Sequence, residues 1–175
     1  MPSAGPRADI HIRKATELDA AAVASIYNEG IEDRRATFQT KVQRSGDWEG
    51  PIQRAHEHPV LVAEQAGRIV GWAAVKPYSD FPPYKPVVEA MLYVARAERG
   101  RGIGTRLLEA LAGEAEGAGF TKLIGKIFAD NETSAALVRR CGFRDVGVHR
   151  RHGRLDGRWK DVLLVERLLG DAAHK

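Results

Sequence analysis

Arg99-Gly100-Arg101-Gly102-Ile103-Gly104 is the most informative stretch of this chain. It follows an apolar run that ends at Leu92-Tyr93-Val94, and it leads into apolar residues spaced three and four apart as far as Ala115. That spacing is typical of a helix. A strand, a glycine-rich turn and a helix in this order present backbone N–H groups and a helix N-terminus to a phosphate. The stretch therefore predicts a binding site for a phosphorylated ligand.

Three phosphate-binding patterns can be compared with this loop. A dinucleotide fingerprint, Gly-x-Gly-x-x-Gly, begins correctly at Gly100, but its sixth position is Thr105 and the next strand (121–124) offers no acid. A nucleotide-hydrolase P-loop requires Gly-Lys-Ser/Thr, and this loop contains no lysine. The third pattern, Arg/Gln-x-x-Gly-x-Gly/Ala, is matched in full over residues 99–104. The alternative to a ligand site is a glycine-rich helix start that binds nothing.

The composition indicates one globular domain. The chain has 175 residues, of which 29% are charged and 43% hydrophobic, which is ordinary for such a domain. No apolar run is long enough for a membrane span, no apolar signal core follows Met1, and a single cysteine excludes an internal disulfide. The net charge of +4 is mild, and no basic run with interleaved aromatics points to nucleic acid. We expect a cytoplasmic protein with neither membrane nor nucleic acid as partner.

Periodicity and turn signals predict the element order β-α-α-β-β-β-α-β-α-β-β. This order describes a mixed α/β domain with a mixed central sheet and helices on both faces. We assign residues 1–8 to a flexible N-terminal tail, 9–169 to the domain and 170–175 to a C-terminal tail. The turn signals include Ala66-Gly67, in a hairpin, and Asp156-Gly157, between final strands over 143–148 and 159–165.

Several side chains receive specific expectations. Thr16, with Asp19 three residues on, is expected to cap the first helix, whose apolar face begins at Leu18. Trp72 and Trp159 are expected in the core. Strand alternation places His149 and His152 on opposite faces. Cys141 is expected to be a buried hydrophobe rather than a nucleophile. His56-Glu57-His58 lacks the spacing of a zinc motif, so no metal site is expected.

The loop and the element order together resemble the GNAT N-acetyltransferases, and the resemblance covers residues 9–168. Four segments are similar to the phosphinothricin and arsinothricin N-acetyltransferases within that superfamily: 26–38, 88–94, 131–143 and 155–162. The resemblance implies transfer of an acetyl group from acetyl-CoA to the primary amine of a small molecule, an amino-acid-like toxin or antibiotic such as phosphinothricin, arsinothricin or methionine sulfone. It also implies a homodimer, to which the apolar strand 162–165 could contribute.

The resemblance implies a cofactor site along one strand, the loop and two helix starts. The strand would pair with the pantetheine arm, and the loop amides would hold the pyrophosphate. Asn131 would bond a pantetheine amide, a role that can coexist with capping a helix. The candidate cofactor-binding residues are Leu92, Tyr93, Val94, Arg99, Gly100, Arg101, Gly102, Ile103, Gly104, Thr105, Asn131 and Ser134.

Glu89 is the candidate catalytic base. An alkylammonium group has a pKa of about 10, so an amine acceptor is almost fully protonated at neutral pH and a base helps. Similar family members carry a glutamate at this place on the strand. A carboxylate in an otherwise apolar strand costs free energy unless it is paired, which argues against a passive role for Glu89.

The chain departs from the family at two places. Val138 stands where many relatives supply a tyrosine and close ones a histidine, so a dedicated general acid is in doubt. The loop from Pro77 to Pro86 contains no arginine, whereas relatives use arginines there to grip acidic substrates; Lys76 and Lys85 are possible point charges. The candidate substrate-binding residues are Glu29, Phe38, Tyr78 and Lys85.

Two alternative functions are open at this point. Asp80 and Glu29 could favour a cationic acceptor, such as an aminoglycoside or a polyamine. A non-catalytic acetyl-CoA-binding module is a different class, which Val138 would suit.

Overall fold

Seven strands form one sheet in the computed structural model, which describes residues 9–174. The strands are β1 (His11–Lys14), β2 (Val60–Gln65), β3 (Arg68–Pro77), β4 (Val87–Val94), β5 (Lys122–Phe128), β6 (Arg144–Leu155) and β7 (Arg158–Leu168). Their spatial order is β1-β2-β3-β4-β5-β7-β6. Only the β4–β5 pair among them is parallel, so the sheet is mixed, as predicted.

Four α-helices complete the predicted order: α1 (Ala20–Asp33), α2 (Gly46–Gln53), α3 (Ile103–Gly117) and α4 (Glu132–Arg140). Short 3-10 turns lie at Glu17–Asp19, Pro82–Tyr84, Arg96–Glu98 and Gly170–His174, the last where a C-terminal tail is predicted. The tail predicted for residues 1–8 falls outside the described residues. No helix within 9–174 is long and apolar enough to cross a membrane.

Strand alternation divides the core between the two faces of the sheet. In β2, Val60 and Val62 pack with α1 and α2, whereas Leu61 and Ala63 pack with α3. The core between the sheet and helices α1 and α2 also contains Trp72, which is fully buried as expected. Helices therefore cover both faces, and residues two apart on any strand share a face.

The sheet separates at its centre. Strands β4 and β5 pair only through Val87↔Lys122, Val88↔Leu123 and Glu89↔Ile124. Beyond Glu89, β4 continues against β3 and β5 continues against β7. The edge of β4 that follows Glu89 thus has no strand partner within the described residues, and a cleft lies between the two strands.

The expected apolar face of α1 is wrong at its first residue. Leu18 is 94% exposed, because it lies in a 3-10 turn that precedes the α-helix. The turn directs Asp19 inward instead, where its Oδ2 accepts a hydrogen bond from the Thr16 amide at 2.8 Å. The Thr16–Asp19 capping box is confirmed, but it caps this 3-10 turn, and α1 begins at Ala20.

The β6–β7 hairpin corrects two further expectations. Both strands are longer than predicted, and Trp159 is half exposed, with the Arg154 guanidinium 4.3 Å above its ring centre. A bulge between His149 and Gly153 leaves Arg151 at φ 49°. Three residues of β6 (150–152) lie opposite the single residue 161 of β7 in this bulge, so the regular alternation is interrupted. His149 and His152 therefore stack with ring centres 4.6 Å apart rather than lying on opposite faces.

Candidate active site

Two cavities meet in the cleft between β4 and β5. One, about 450 Å³, is lined by the glycine-rich loop and the start of α3, and we call it the loop cavity. The other, about 440 Å³, lies between the ends of β4 and β5 and contains Glu89; we call it the Glu89 cavity. Both are lined by Ala36, Leu92, Tyr93, Asn131, Ser134 and Leu137. A ligand lying in the loop cavity can therefore reach a second ligand beside Glu89.

The loop presents its backbone to the loop cavity. Gly100 and Gly102 have φ of 74° and 79°, a conformation that side chains other than glycine rarely adopt. A Cβ at either position would meet no protein atom within 4 Å, so the space beside them is open to a ligand. Gly102 is also the N-cap of α3, whose first amides carry the positive end of the helix dipole. This arrangement fits the pyrophosphate of acetyl-CoA.

Gly104 serves packing. A Cβ there would lie 2.8 Å from Leu137 Cδ1, well inside contact distance. Because Leu137 lies on α4 and lines both cavities, the missing side chain lets α3 approach α4 and holds the wall that the cavities share.

The arginines around the loop are held by carboxylates. Arg99 donates from Nη1 to Asp33 Oδ2 at 2.5 Å and from Nε to the Val94 carbonyl at 3.0 Å. Burial opposes ionisation of Asp33, but hydrogen bonds from Arg99 and Arg96 hold its pKa below the usual value. Arg101 pairs with Glu98 and does not line the loop cavity, unlike the other predicted cofactor-binding residues. The side chains of Arg99 and Arg101 are thus engaged with protein acceptors, and the loop's backbone amides remain available to an anion.

Asn131 uses both ends of its side chain. Its Oδ1 accepts from the Ser134 amide at 3.2 Å, and its Nδ2 donates to the Arg35 carbonyl at 3.0 Å. The first bond caps α4, and the second ties the segment after α1 to this helix. An amide retains one further donor and one lone pair, so Asn131 can also contact a ligand in the cavities that it lines.

Two ammonium groups hold Glu89 in the second cavity. Lys126 Nζ lies 2.9 Å from Glu89 Oε2, and Lys76 Nζ lies 3.5 Å from Oε1. The glutamate side chain is 14% exposed, whereas the two lysines are 44% and 51% exposed. The carboxyl group is therefore nearly buried and paired, and it faces a space into which both lysines also project.

Val138, Tyr93 and Cys141 offer no ready proton for the leaving thiolate. Val138 lines the Glu89 cavity and has no proton to donate. Burial raises the pKa of Tyr93 well above its ordinary value, which makes its hydroxyl a poorer acid. Burial likewise raises the pKa of the Cys141 thiol, and this residue lines neither cavity. A thiol with an ordinary pKa of about 8.5 can leave as thiolate without such a group.

The structure brings one of the four predicted substrate-binding residues to the Glu89 cavity. Phe38 lines it, packed edge to face against Phe128 at 4.7 Å. Glu29 lies elsewhere, because its Oε2 accepts from the Arg96 amide at 2.5 Å. Tyr78 and Lys85 lie on the loop before β4, outside the cavity lining, and Tyr78 packs with Tyr84 instead.

Several residues that line the cavities are not among the predicted site residues. Lys126 and His152 line the Glu89 cavity, and Arg35 and Arg140 line the loop cavity. Lys126 lies two residues beyond Ile124, the partner of Glu89, so alternation places it on the face of Glu89 only once the β4–β5 pairing is known. The position of His152 depends on the bulge in β6, which no sequence pattern here predicts.

Known proteins resemble this chain over nearly its whole length. A phosphinothricin N-acetyltransferase of Streptomyces viridochromogenes is 32% identical, over 89% of this chain and 86% of that protein. An L-methionine sulfoximine/L-methionine sulfone acetyltransferase of Pseudomonas paraeruginosa is 31% identical, over 89% and 92%. A solved phosphinothricin acetyltransferase of Sinorhizobium meliloti, in complex with acetyl-CoA, superposes with a TM-score of 0.88 at 27% identity, over 95% and 91%. The model of the acetyltransferase (GNAT) family matches residues 23–143, and the chain belongs to this family.

Proposed function

We propose that this protein transfers the acetyl group of acetyl-CoA to the primary amine of a small, amino-acid-like acceptor. The observation that carries the proposal is the junction of the two cavities at Leu92, Tyr93 and Asn131. One cavity has the glycine-lined anion site that a CoA pyrophosphate needs, and the other has a nearly buried carboxylate. The free edge of β4 runs between them, where its amides and carbonyls can pair with an extended pantetheine arm.

Each part of the site then has a defined task. Bound acetyl-CoA supplies the activated thioester. Gly100 and Gly102 hold its pyrophosphate through backbone amides, and a β4 amide polarises the thioester carbonyl. Glu89 takes a proton from the acceptor ammonium, so that the neutral amine can attack. The new carbon–nitrogen bond replaces the carbon–sulfur bond, the thiolate leaves to be protonated by solvent, and the nitrogen loses its second proton.

The surroundings of Glu29 and Glu89 favour an amino-acid-like acceptor over a polyamine or an aminoglycoside. Glu29 would have supplied negative charge for a cationic acceptor, but it is bonded to the Arg96 amide. Asp80 does not line the Glu89 cavity, whereas Lys76 and Lys126 do. The relatives named for phosphinothricin and methionine sulfone, both amino acids, agree with this choice.

Thiol release from acetyl-CoA, measured with a panel of small amines, tests the proposal. We expect release with amino-acid acceptors and none without an acceptor. Gly102→Glu should abolish CoA binding and release, because it adds strain and a negative charge where the pyrophosphate would lie. Gly67→Glu is the matched control, since Gly67 has a similar φ of 74° and open space in the β2–β3 turn. Equal CoA affinity in both variants would contradict the cofactor assignment.

We further propose a cytoplasmic homodimer. The reaction uses a cytosolic metabolite, and the chain's one cysteine is buried and free. The strand 162–165 is a poor contact surface, because Val162, Leu163 and Val165 are buried within the chain. The exposed side chains of Val146 and Val148 on β6, which has β7 as its one neighbour among the described strands, support a contact there instead. Light scattering measures the mass, and a monomer at working concentration would rule the dimer out.

A further inference from the structure

We propose that Lys76 and Lys126 form the subsite for the acidic groups of the acceptor, and that the acceptor is an amino acid with two such groups. This inference rests on the proposed acetyl transfer and narrows its substrate class. In similar family members, arginines in the loop before β4 bind the acidic groups of the substrate. This chain has no arginine between Pro77 and Pro86, and the two strand lysines would take over that role.

The register of the sheet places the two lysines on either side of Glu89. Lys76 on β3 lies directly opposite Glu89 on β4, and Glu89 lies opposite Ile124 on β5. Lys126 is two residues beyond Ile124 and so projects from the same face. Three neighbouring strands thus place the three charged residues side by side, so the cluster follows from the register of the sheet.

The cluster has an excess of positive charge. Two ammonium groups face one carboxylate, and the described lining of the Glu89 cavity contains no other acid. Both lysine side chains are about half exposed, so an anion that enters the cavity can reach them without rearrangement of the core.

An acceptor with one ammonium and two acidic groups complements this cluster. Its ammonium would take the place of the lysines against Glu89, which is also where the amine must lose its proton. The two displaced lysines would then each need an anion. A polyamine would instead bring more positive charge against two ammonium groups. Because lysine is a point charge without the two-pronged geometry of arginine, this subsite should select for charge more than for the shape of the acid.

A charge series of acceptors tests the inference with the full protein and acetyl-CoA. Phosphinothricin offers a carboxylate and a phosphinate, L-methionine sulfone offers a carboxylate alone, and L-methionine sulfone amide offers no acid. We expect kcat/KM to fall by about fivefold for each acidic group removed, the scale of a half-exposed ion pair. Lys76→Gln and Lys126→Gln should each shrink these ratios, through a higher KM for the acids.

Lys14→Gln is the matched control, because Lys14 also pairs with a glutamate, Glu114 at 3.1 Å, and does not line the Glu89 cavity. It should leave the ratios unchanged. The inference is wrong if the unaltered protein turns over all three acceptors equally or prefers the amide. It is also wrong if the two lysine variants lower kcat equally for every acceptor, since the lysines would then only position Glu89. Absence of thiol release with any amine would refute the proposed acetyl transfer itself.

Discussion

Glu89 combines burial with two ionic partners, an arrangement that holds its carboxyl group in place. The side chain is 14% exposed, and both of its oxygens face a lysine. An unpaired carboxylate would be costly to bury, and the two lysines offset that cost. Acceptor binding has to replace these partners, so the same contacts that stabilise the free protein define what the acceptor must carry.

Replacing Glu89 by glutamine should remove the catalytic base and leave CoA binding intact. We expect kcat to fall by about 100-fold at neutral pH, the usual scale for a general base, with CoA affinity nearly unchanged. The loss should shrink at high pH, where more of the amine is already neutral. Steady-state kinetics between pH 7 and 10 measure both effects.

Glu166→Gln is the control for that experiment. Glu166 also lies on a strand, is 12% exposed and pairs with two cations, Lys122 and Arg144, but it lines neither cavity. Its replacement should affect stability and leave kcat intact. More than half of the normal activity in Glu89→Gln would show that another base, or none, is used.

At the residue level, sequence patterns identify site residues whose roles depend only on their neighbours along the chain. The loop glycines could be identified because spacing along one segment specifies them, and their positive φ confirms the backbone that the pattern requires. Lys126 could not be identified from the sequence, since its place beside Glu89 depends on the parallel pairing of β4 and β5, which α3 separates along the chain. The substrate role predicted for Glu29 rests on its charge alone, and its hydrogen bond from the Arg96 amide, 67 residues away, leaves no trace in the sequence.

At the level of elements, a segment after α1 and the β6 bulge together close the Glu89 cavity. Phe38 packs against Phe128 of β5 on one side and against the backbone of Gly153 on the other. A Cβ at Gly153 would lie 2.6 Å from Phe38 Cζ, so this contact exists only because residue 153 has no side chain. The bulged end of β6 therefore sets the position of an aromatic wall of the cavity.

Gly153→Ala should displace Phe38 and loosen the acceptor site. We expect the acceptor KM to rise several-fold, CoA affinity to stay the same and the free energy of unfolding to fall by about 1 kcal/mol. Gly147→Ala on the same strand is the control, because a Cβ there meets nothing within 4 Å. In a Phe38→Ala background the Gly153 change should have little further effect. An equal change in KM in both backgrounds would contradict this coupling.

Element order and most boundaries could be predicted because hydrophobic period, glycine turns and capping residues are local signals. Strand β4 is found over the predicted range, and the capping pair Thr16–Asp19 forms as expected. The bulge at Arg151 could not be predicted, since an arginine at positive φ is unfavourable by itself and is held by the surrounding ladder. That bulge accounts for the stacking of His149 and His152, which regular alternation would place on opposite faces.

On the scale of the whole molecule, one ionic cluster ties the entrance of α1 to the edge of the sheet. Arg13 on β1 donates two hydrogen bonds to Asp19, at 2.7 and 2.9 Å, and one to Glu64 on β2 at 2.8 Å. The Asp19 side chain is only 7% exposed. Hydrogen bonding from Arg13 lowers the pKa of Asp19, more than offsetting the effect of burial.

This lowered pKa gives the stability a defined acid limit. Since the folded pKa of Asp19 lies below the unfolded value of about 3.9, its stabilisation is complete above about pH 5 and is lost as pH falls through the folded pKa. Asp19→Asn should lower the free energy of unfolding by about 2 kcal/mol at pH 7, and the difference should shrink towards pH 2. Urea unfolding across this range measures it.

Asp145→Asn is the comparison, because the Asp145–Arg139 pair is about half exposed on both sides and should show no measurable change. A gap between Asp19→Asn and the unaltered protein that widened with acid would contradict the assignment.

The separation of β4 from β5 has a mechanical consequence. Three residue pairs are the whole seam between the two halves of the described sheet, and the seam stops at Glu89↔Ile124. The gap beyond this seam acts like a notch in the sheet: any force that widens the gap acts first on the Glu89–Ile124 pair. A long ligand bonded to both walls of the notch bears part of that load. We therefore expect cofactor binding to reduce the mobility of Glu89, which lies at the end of the seam.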